Sequence, residues 1–352
     1  EFMINAFCFY FGDDGWSRYA RSFFSAWQKQ DPVRIISWNE PGNEADSASA
    51  PHCTSPSTTD PGIGLGPIER MMSVVGSRRI AYVFWETTTM PPDKVSILRA
   101  MDEVWTPSSW GRQLLIDNGI AADKVGVVPA GVDVESFKPE TIPNGKPRPF
   151  RFLCVGKWEK RKGTEDLINA FCDSFRAEEP VELVLHCFNP YLPGFDLEDR
   201  IRRSLRSNAP AITASHPTGQ AGMIRLYNSC DAFVLPTRAE GWGLPITEAM
   251  ACGLPVIVTE YGAPLDYLGQ DFAYLIPVEK LVSAHDPYFF SSNSFGQWAL
   301  PDVQSLRKIM RHVFENPAEA REKGRLARAE VCRRWTWDRA TTTARHLLSL
   351  SA

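Results

Sequence analysis

The stretch that most constrains the fold is residues 231–261, DAFVLPTRAEGWGLPITEAMACGLPVIVTEY. It begins with an apolar, β-favouring run at 232–235 and ends with another at 255–259. Between them lie a glycine-containing loop and a segment in which Pro245 suits the first helical turn and Gly253 suits the helix exit. The pattern predicts strand, loop, helix and strand, which is one βαβ unit of an α/β domain.

Two carboxylates flank the start of the predicted helix. Glu240 ends the loop after the first strand, and Glu248 is expected in the first helical turn. Ligands of open α/β sheets bind outside the carboxyl ends of the strands, where both acids would lie. The helix start, with Gly241 and Gly243 beside it, can offer backbone amides to a phosphate, and a nearby carboxylate suits sugar hydroxyls. The pattern indicates a site for a phosphorylated sugar, although a solvent-facing acidic turn has the same spacing.

The same block, EGWGLPITEAMACGLPVIVT, closely resembles the signature of the group 1 (family four) retaining glycosyltransferases. The resemblance implies that Glu248 binds the ribose hydroxyls of a nucleotide and that Glu240 is a catalytic residue in contact with the transferred sugar. It also implies that the loop and helix start bind the donor through Gly241, Trp242, Gly243 and Leu244.

Length and composition limit the remaining possibilities. A chain of 352 residues exceeds the usual size of one hydrophobic core, so we expect two domains. With 43% hydrophobic residues, 23% charged residues and a net charge of −4, the composition suits a globular protein and gives no sign of nucleic-acid binding. No apolar run approaches the ~18 residues that span a bilayer, so no integral membrane segment is expected. The eight cysteines include no CxxC pair, which favours free thiols and a cytoplasmic location.

The pattern in the first part of the chain predicts strands at 4–11 and 33–38 with a helix at 16–29 between them. Gly15 stands at the strand-to-helix turn, where a glycine lets a donor phosphate approach the backbone, although a plain tight turn also explains it. Residues 41–66 hold four prolines, four glycines and no periodicity, which predicts a long mobile loop over the acceptor. Its GIGLG segment follows no predicted strand, so we do not interpret it as a dinucleotide-binding motif.

Acidic and hydroxyl residues follow the strand predicted at 79–85, at another carboxyl end that would face a ligand. In the resembled family a histidine near this place helps to position the sugar, but this sequence has none between His52 and His186. We therefore take Glu86 as the candidate for that catalytic role. A strand at 102–107, a helix to residue 118 and a strand at 125–129 complete the first domain.

A second domain follows a linker predicted at residues 141–150, which hold three prolines. It opens with an apolar strand at 151–155 and the segment GKWEKRKG at 156–163. Cations between the end of a strand and the start of a helix can hold an anion, although a solvated basic turn has the same composition. The resemblance implies that Lys157 and Lys162, which we expect to be exposed, hold the diphosphate of the donor.

Further strands are predicted at 181–188 and 211–215, with a polar helix at 196–206 between them. The resemblance places the end of the second of these strands beside the nucleotide base, so His216 is a candidate donor-binding residue. A lone histidine at such a place is more often a surface or capping residue.

The chemistry of sugar transfer requires neutralisation of the leaving diphosphate, by a metal ion or by fixed cations and helix dipoles. We find no convincing Asp-x-Asp at a strand end, so we predict no metal ion and no cofactor. The resemblance implies retention of the anomeric configuration by a front-face route, in which the leaving phosphate takes the proton of the acceptor.

The fold implied by the resemblance is GT-B: two facing Rossmann-like domains with a cleft between them and a C-terminal helix that crosses back to the first. We place the acceptor-side domain at 1–140, the nucleotide-sugar domain at 151–334 and the returning helix at 335–352. The first domain carries 12 Lys and Arg against 18 Asp and Glu, a net charge of −6, and the remainder +2. Because basic first domains suit anionic lipid, this acidic one favours a soluble or peripherally delivered hydroxyl acceptor.

Other functions remain open on the sequence alone. A dinucleotide-dependent oxidoreductase has a similar strand and helix pattern, but no Gly-x-Gly-x-x-Gly follows a strand. A nucleotide-sugar epimerase or hydrolase of the same fold, or a non-catalytic nucleotide-sugar-binding protein, would carry the same donor motifs.

Overall fold

The chain forms two compact units, and the computed structural model describes residues 3–12, 14–40, 55–140, 148–205, 208–285 and 296–350. The first unit combines Glu1–Gly131 with Trp335–Ala352, and the second is Val132–Arg334. Most of the predicted linker, 141–147, lies outside the described residues. Within the described residues, no helix is both long and apolar enough to cross a membrane.

The first unit is built on a six-stranded sheet in the order β2-β1-β3-β4-β5-β6, and all neighbouring strands pair in parallel. Its strands are β1 (Ile4–Cys8), β2 (Val33–Ser37), β3 (Gly62–Leu65), β4 (Arg79–Tyr82), β5 (Glu103–Thr106) and β6 (Val125–Val127). Its helices in this part of the chain are α1 (Gly15–Gln28), α2 (Pro92–Arg99) and α3 (Ser109–Asp117). The strands predicted in this part of the chain are confirmed, but each ends earlier than predicted. The helix α2 was not predicted.

The prediction of one long loop over residues 41–66 is wrong at its end, because Gly62–Leu65 form the buried strand β3. This strand lies between β1 and β4 in the middle of the sheet. A Cβ atom at Gly62 would lie 2.3 Å from the carbonyl oxygen of Val75, so glycine is required for close packing of the following segment. Glycine is depleted in strands, which is why the GIGLG composition misled the prediction. Residues 41–54 lie outside the described residues.

The second unit has a separate six-stranded parallel sheet in the order β12-β11-β10-β7-β8-β9. Its strands are β7 (Phe150–Gly156), β8 (Val181–Cys187), β9 (Ala211–Ala214), β10 (Ala232–Leu235), β11 (Val256–Thr259) and β12 (Tyr274–Ile276). Its helices are α4 (Thr164–Ser174), α5 (Leu197–Ser204), α6 (Gly219–Asn228), α7 (Leu244–Ala251), α8 (Val303–Glu315) and α9 (Pro317–Arg334). An antiparallel hairpin of β13 (Val278–Ser283) and β14 (Gln297–Pro301) follows β12.

The predicted βαβ unit is confirmed as β10, α7 and β11, and β10 and β11 are buried along their whole length. They are apolar throughout because both faces of a parallel sheet are covered. Pro245 lies in the first turn of α7, and Gly253 follows its end with a φ of +78°, which favours glycine. The seven described cysteines are free thiols, five of them buried.

The last helix, α10 (Trp337–Leu350), returns to the first unit and packs on α1, as predicted. The Trp337 ring contacts Tyr19 edge to face at 4.9 Å between centroids. Lys29 Nζ lies 3.0 Å from the Asp338 carboxylate, and Gln30 donates a hydrogen bond of 3.0 Å to Thr341. The C-terminal segment therefore completes the core of the first unit.

Candidate active site

The candidate site of the second unit is formed by two loops that leave adjacent strands. The first loop follows β7 and spans residues 157–163, and the second follows β10 and spans residues 236–243. The two strands pair directly, with Phe152 beside Ala232. Because both are parallel, their carboxyl ends meet at one edge of the sheet, where ligands of α/β folds bind.

Backbone contacts hold these loops together. The amide of Arg238 donates to the carbonyl of Arg161 at 2.7 Å. In return, the Arg161 guanidinium donates to the Ala239 carbonyl at 2.8 Å. Gly163, with a φ of +69°, lies so close to Pro236 that an added Cβ would be 2.3 Å from the proline carbonyl oxygen. The relative position of the loops is therefore fixed by backbone as well as by side chains.

Lys162 and Glu240 form a buried ion pair at the centre of the site. The Lys162 Nζ lies 2.6 Å from Glu240 Oε1, and the two side chains are 9% and 5% exposed. Thr237 donates a hydrogen bond of 2.8 Å to the same oxygen, and the Arg161 guanidinium lies 3.5 Å from Glu240 Oε2. Burial alone would raise the pKa of Glu240, but the charges of Lys162 and Arg161 outweigh it and hold that pKa below its usual value. The prediction that Lys162 is exposed is wrong.

Lys157 is the more accessible cation of the first loop, with a side chain that is 29% exposed. Its Nζ lies 3.4 Å from the buried carboxylate of Glu159 and 5.1 Å from the centre of the Tyr191 ring. Burial lowers the pKa of Lys157, and Glu159 opposes that shift. Glu159 is also held by Arg161 at 2.6 Å. These contacts leave Lys157 at the surface of the cluster, where an anion can reach it.

The cluster brings three cations together with two carboxylates. Lys157 and Arg161 lie beside Glu159, and Lys162 and Arg161 lie beside Glu240. Fixed cations at the carboxyl end of a sheet favour a phosphorylated ligand.

The start of α7 supplies the backbone part of the site. Gly243 caps the helix with a φ of +97°, and a Cβ there would lie 2.7 Å from Ile246. Trp242 is buried against Tyr267, whose hydroxyl donates to the Trp242 carbonyl at 2.7 Å. These contacts fix the path of Gly241, Trp242, Gly243 and Leu244 at the positive end of the helix dipole.

Glu248 does not lie in the first turn of α7 as predicted. The helix begins at Leu244, so Glu248 is its fifth residue and lies in the second turn. Its side chain is buried, and its Oε2 accepts a hydrogen bond of 2.8 Å from the Tyr227 hydroxyl of α6. Pro245 lies in the first turn as predicted, but the helix begins one residue before it, at Leu244, which moves Glu248 into the second turn.

Three further predicted site residues, His216, Gly15 and Glu86, lie on other elements. His216 follows β9, with an exposed ring whose Nε2 lies 2.8 Å from the Glu198 carboxylate. Gly15 is the first residue of α1 in the first unit, and a Cβ there would meet open space, so glycine is not sterically required. The carboxylate of Asp14 already accepts from the amides of Trp16 and Ser17.

Glu86 also belongs to the first unit, where it follows β4 and is partly exposed. The remaining predicted site residues, other than Gly15, belong to the second unit.

Sequence reasoning missed several residues that complete the cluster. They are Glu159, Arg161, Thr237, Arg238 and Tyr227. Thr237 lies in the loop that the sequence analysis singled out, but no local pattern predicts its side-chain contact with Glu240. Tyr227 could not be found from the sequence, because its helix α6 was not predicted.

Comparison with known proteins gives a family match over the part of the chain that holds the site. The sequence model described as "Glycosyl transferases group 1" matches residues 149–285, which contain both loops. A probable sucrose-phosphate synthase of Thermosipho melanesiensis is 27% identical over 170 residues, 47% of this chain and 38% of that protein. The MMP alpha-(1->4)-mannosyltransferase of Mycolicibacterium hassiacum is 25% identical over 68% of this chain and 52% of its own length. The chain thus spans between about a third and a half of these two relatives.

Solved structures extend the likeness to both units. A sucrose-phosphate synthase from Thermosynechococcus elongatus gives a TM-score of 0.71 at 15% identity and covers 99% of both chains. Anabaena HepE in complex with UDP and glucose gives a TM-score of 0.70 at 15% identity, over 99% of this chain and 100% of that one. The resemblance stated for residues 231–261 is confirmed: residues 149–285 match the group 1 glycosyltransferase model, and the chain has the fold of the GT-B glycosyltransferases.

Proposed function

We propose that the protein is a retaining glycosyltransferase that moves a sugar from a nucleotide-diphosphate donor to a hydroxyl acceptor without a metal ion. The observation that carries this proposal is the cluster between the β7 and β10 loops. There Arg161 and Lys162 lie beside Glu240, and Lys157 lies beside Glu159, in the loops that precede the helices α4 and α7. The family match and the UDP in the HepE structure support a nucleotide-sugar as the donor.

The cations explain how the leaving group could be stabilised. As the bond from the anomeric carbon to the diphosphate breaks, negative charge grows on the phosphate oxygens. Lys157 is accessible, Lys162 lies deeper, and the amides at the start of α7 add the positive end of a helix dipole. Because these groups are held by the surrounding loops, they need little reorganisation during the reaction.

The two glutamates of the family block have separate roles in this proposal. Glu248, oriented by Tyr227, accepts hydrogen bonds from the ribose, and Glu240 contacts the transferred sugar. The loop from Gly241 to Leu244 lines the donor site with backbone, and His216 flanks the base. From the first unit, we propose that Gly15 contacts the donor and that Glu86 helps to position the sugar.

The reaction needs no enzymatic nucleophile if the leaving phosphate takes the proton of the acceptor hydroxyl as the new bond forms on the same face. That route retains the anomeric configuration. We place the enzyme in the cytoplasm, and the free thiols of the described cysteines support a reducing compartment.

Proton NMR of reaction mixtures tests the proposed function. The protein is incubated with UDP-glucose or GDP-mannose and a panel of hydroxyl acceptors, with and without excess chelator. We expect a new α-linked sugar and release of the nucleoside diphosphate, at rates that the chelator leaves nearly unchanged because fixed cations replace the ion. Loss of activity with chelator and rescue by magnesium or manganese would refute metal independence. Release of free sugar or formation of an epimer with every acceptor would favour a hydrolase or an epimerase instead.

A further inference from the structure

The ion pair between Lys162 and Glu240 joins two residues that the proposed function uses for different parts of the donor. Lys162 is assigned to the diphosphate and Glu240 to the sugar. In the structure their charged groups lie 2.6 Å apart and are almost completely buried. Lys162 therefore lies where a sugar hydroxyl would contact Glu240, and Glu240 lies where a phosphate oxygen would contact Lys162.

The Glu240 carboxylate is directed toward protein donors. Oε1 accepts from both Lys162 and Thr237, and Oε2 lies 3.5 Å from Arg161. A carboxylate has about four lone-pair directions; the two hydrogen bonds use those of Oε1, and the Arg161 charge lies beside Oε2. A sugar hydroxyl would bind more strongly if the Lys162 ammonium turned away.

A diphosphate can cause that change. The Lys162 ammonium carries three donors on a flexible stem, and phosphate oxygens form strong charge-assisted hydrogen bonds. When the ammonium turns to a phosphate, Glu240 loses its closest cation and gains accepting capacity. Thr237, which donates to the same oxygen, keeps the carboxylate in place.

We propose that the Lys162–Glu240 ion pair is a latch that the donor diphosphate opens, so that Glu240 becomes available to the sugar only when the diphosphate is bound. This inference rests on the proposed function of the second unit. The latch would make the site bind an intact nucleotide-sugar in preference to free sugar. It also predicts that Glu240 competes with phosphate for Lys162 and weakens the binding of sugar-free diphosphates.

The test measures the affinity of the full chain for inorganic pyrophosphate and for UDP by calorimetry. Glu240→Gln keeps a hydrogen-bond acceptor but removes the competing charge, so pyrophosphate should bind about tenfold more tightly than to the unmodified protein. Glu240→Asp keeps the negative charge but shortens the side chain by one methylene group, so the carboxylate lies farther from Lys162. It should therefore tighten pyrophosphate binding as well, by about threefold.

The Asp variant separates the latch from general electrostatics. If Glu240→Gln tightens binding and Glu240→Asp does not, the loss of negative charge alone is responsible and the latch is overturned. If pyrophosphate and UDP bind the unmodified protein and neither variant changes their affinity, the latch is overturned while the proposed donor site stands. If neither pyrophosphate nor UDP binds any of the three proteins, and a parallel titration with GDP also shows no binding, both inferences fall. Thermal unfolding of each variant verifies that it is folded.

Discussion

Lys162→Ala is expected to lower the free energy of unfolding by about 3–5 kcal/mol, because it leaves the Glu240 carboxylate buried without its closest cation. Glu240 is only 5% exposed, and Lys162 Nζ contacts it at 2.6 Å. Arg161 at 3.5 Å is too distant to replace that contact fully. Urea unfolding at neutral pH measures the change. This expectation replaces the simpler view from the sequence, in which Lys162 was an exposed cation whose removal leaves stability intact.

Two controls identify the cause. Lys162→Ala combined with Glu240→Gln leaves no unpaired buried charge, so it should recover part of the lost stability. Lys280→Ala removes an exposed lysine that pairs only with Glu279 among its described contacts, and should change stability by no more than about 0.5 kcal/mol. A Lys162→Ala protein as stable as the Lys280→Ala protein would show that the ion pair does not form.

The pH dependence of Lys162→Ala has a defined sign. Because the pKa of Glu240 is lowered in the folded protein, the stability from its ionised form is present above the ordinary Glu range and is lost as the pH falls through the folded pKa. Removing Lys162 raises that pKa. The difference between variant and unmodified protein should therefore shrink as the pH is lowered from 7 to below about 4.

Gly163→Ala is the second substitution with a large expected effect, about 2–5 kcal/mol of lost stability together with weaker donor binding. The left-handed φ of +69° disfavours alanine, and the new methyl group would lie 2.3 Å from the carbonyl oxygen of Pro236. Relief of that clash must move the β7 loop away from the β10 loop. The cations and Glu240 would then lose their mutual geometry.

Gly219→Ala is the matched control for backbone conformation. Gly219 also has a positive φ, of +61°, but a Cβ there meets no atom within 4 Å. Gly219→Ala should lower the free energy of unfolding only by the cost of an alanine at positive φ, about 1–2 kcal/mol, and should leave the donor affinity unchanged. Equal effects of the two substitutions on stability and on nucleotide binding would show that the two loops are not held by this contact.

The block at residues 231–261 shows what the sequence can predict. The apolar runs, the proline and the terminal glycine specify β10, α7 and β11 by local chemistry alone, and the structure has them in that order. The same local rules missed β3, because its glycines are required by packing against residues distant in sequence. They missed α6 because its helix-forming pattern is short and begins at a glycine.

The pairing within the site lay beyond sequence reasoning for a related reason. Lys162 and Glu240 are 78 residues apart, and their ion pair exists only because β7 and β10 are neighbours in the sheet. The family resemblance identified both residues but treated each as a separate contact to the ligand. Glu159 and Arg161 lie within the basic loop, yet their role in orienting Lys157 depends on burial, which composition does not give.

We propose that the second unit binds a nucleoside diphosphate through the β7 loop and α7. Calorimetric titration of UDP and GDP into the unmodified protein, Lys157→Ala and Glu248→Gln tests this claim, with Lys280→Ala and Glu279→Gln as exposed controls. We predict that at least one nucleotide binds and that each site variant weakens it by about 10- to 100-fold, the loss of one charge-assisted contact. The controls should match the unmodified protein. Equal affinity in all five proteins, or no binding of either nucleotide, would contradict the claim.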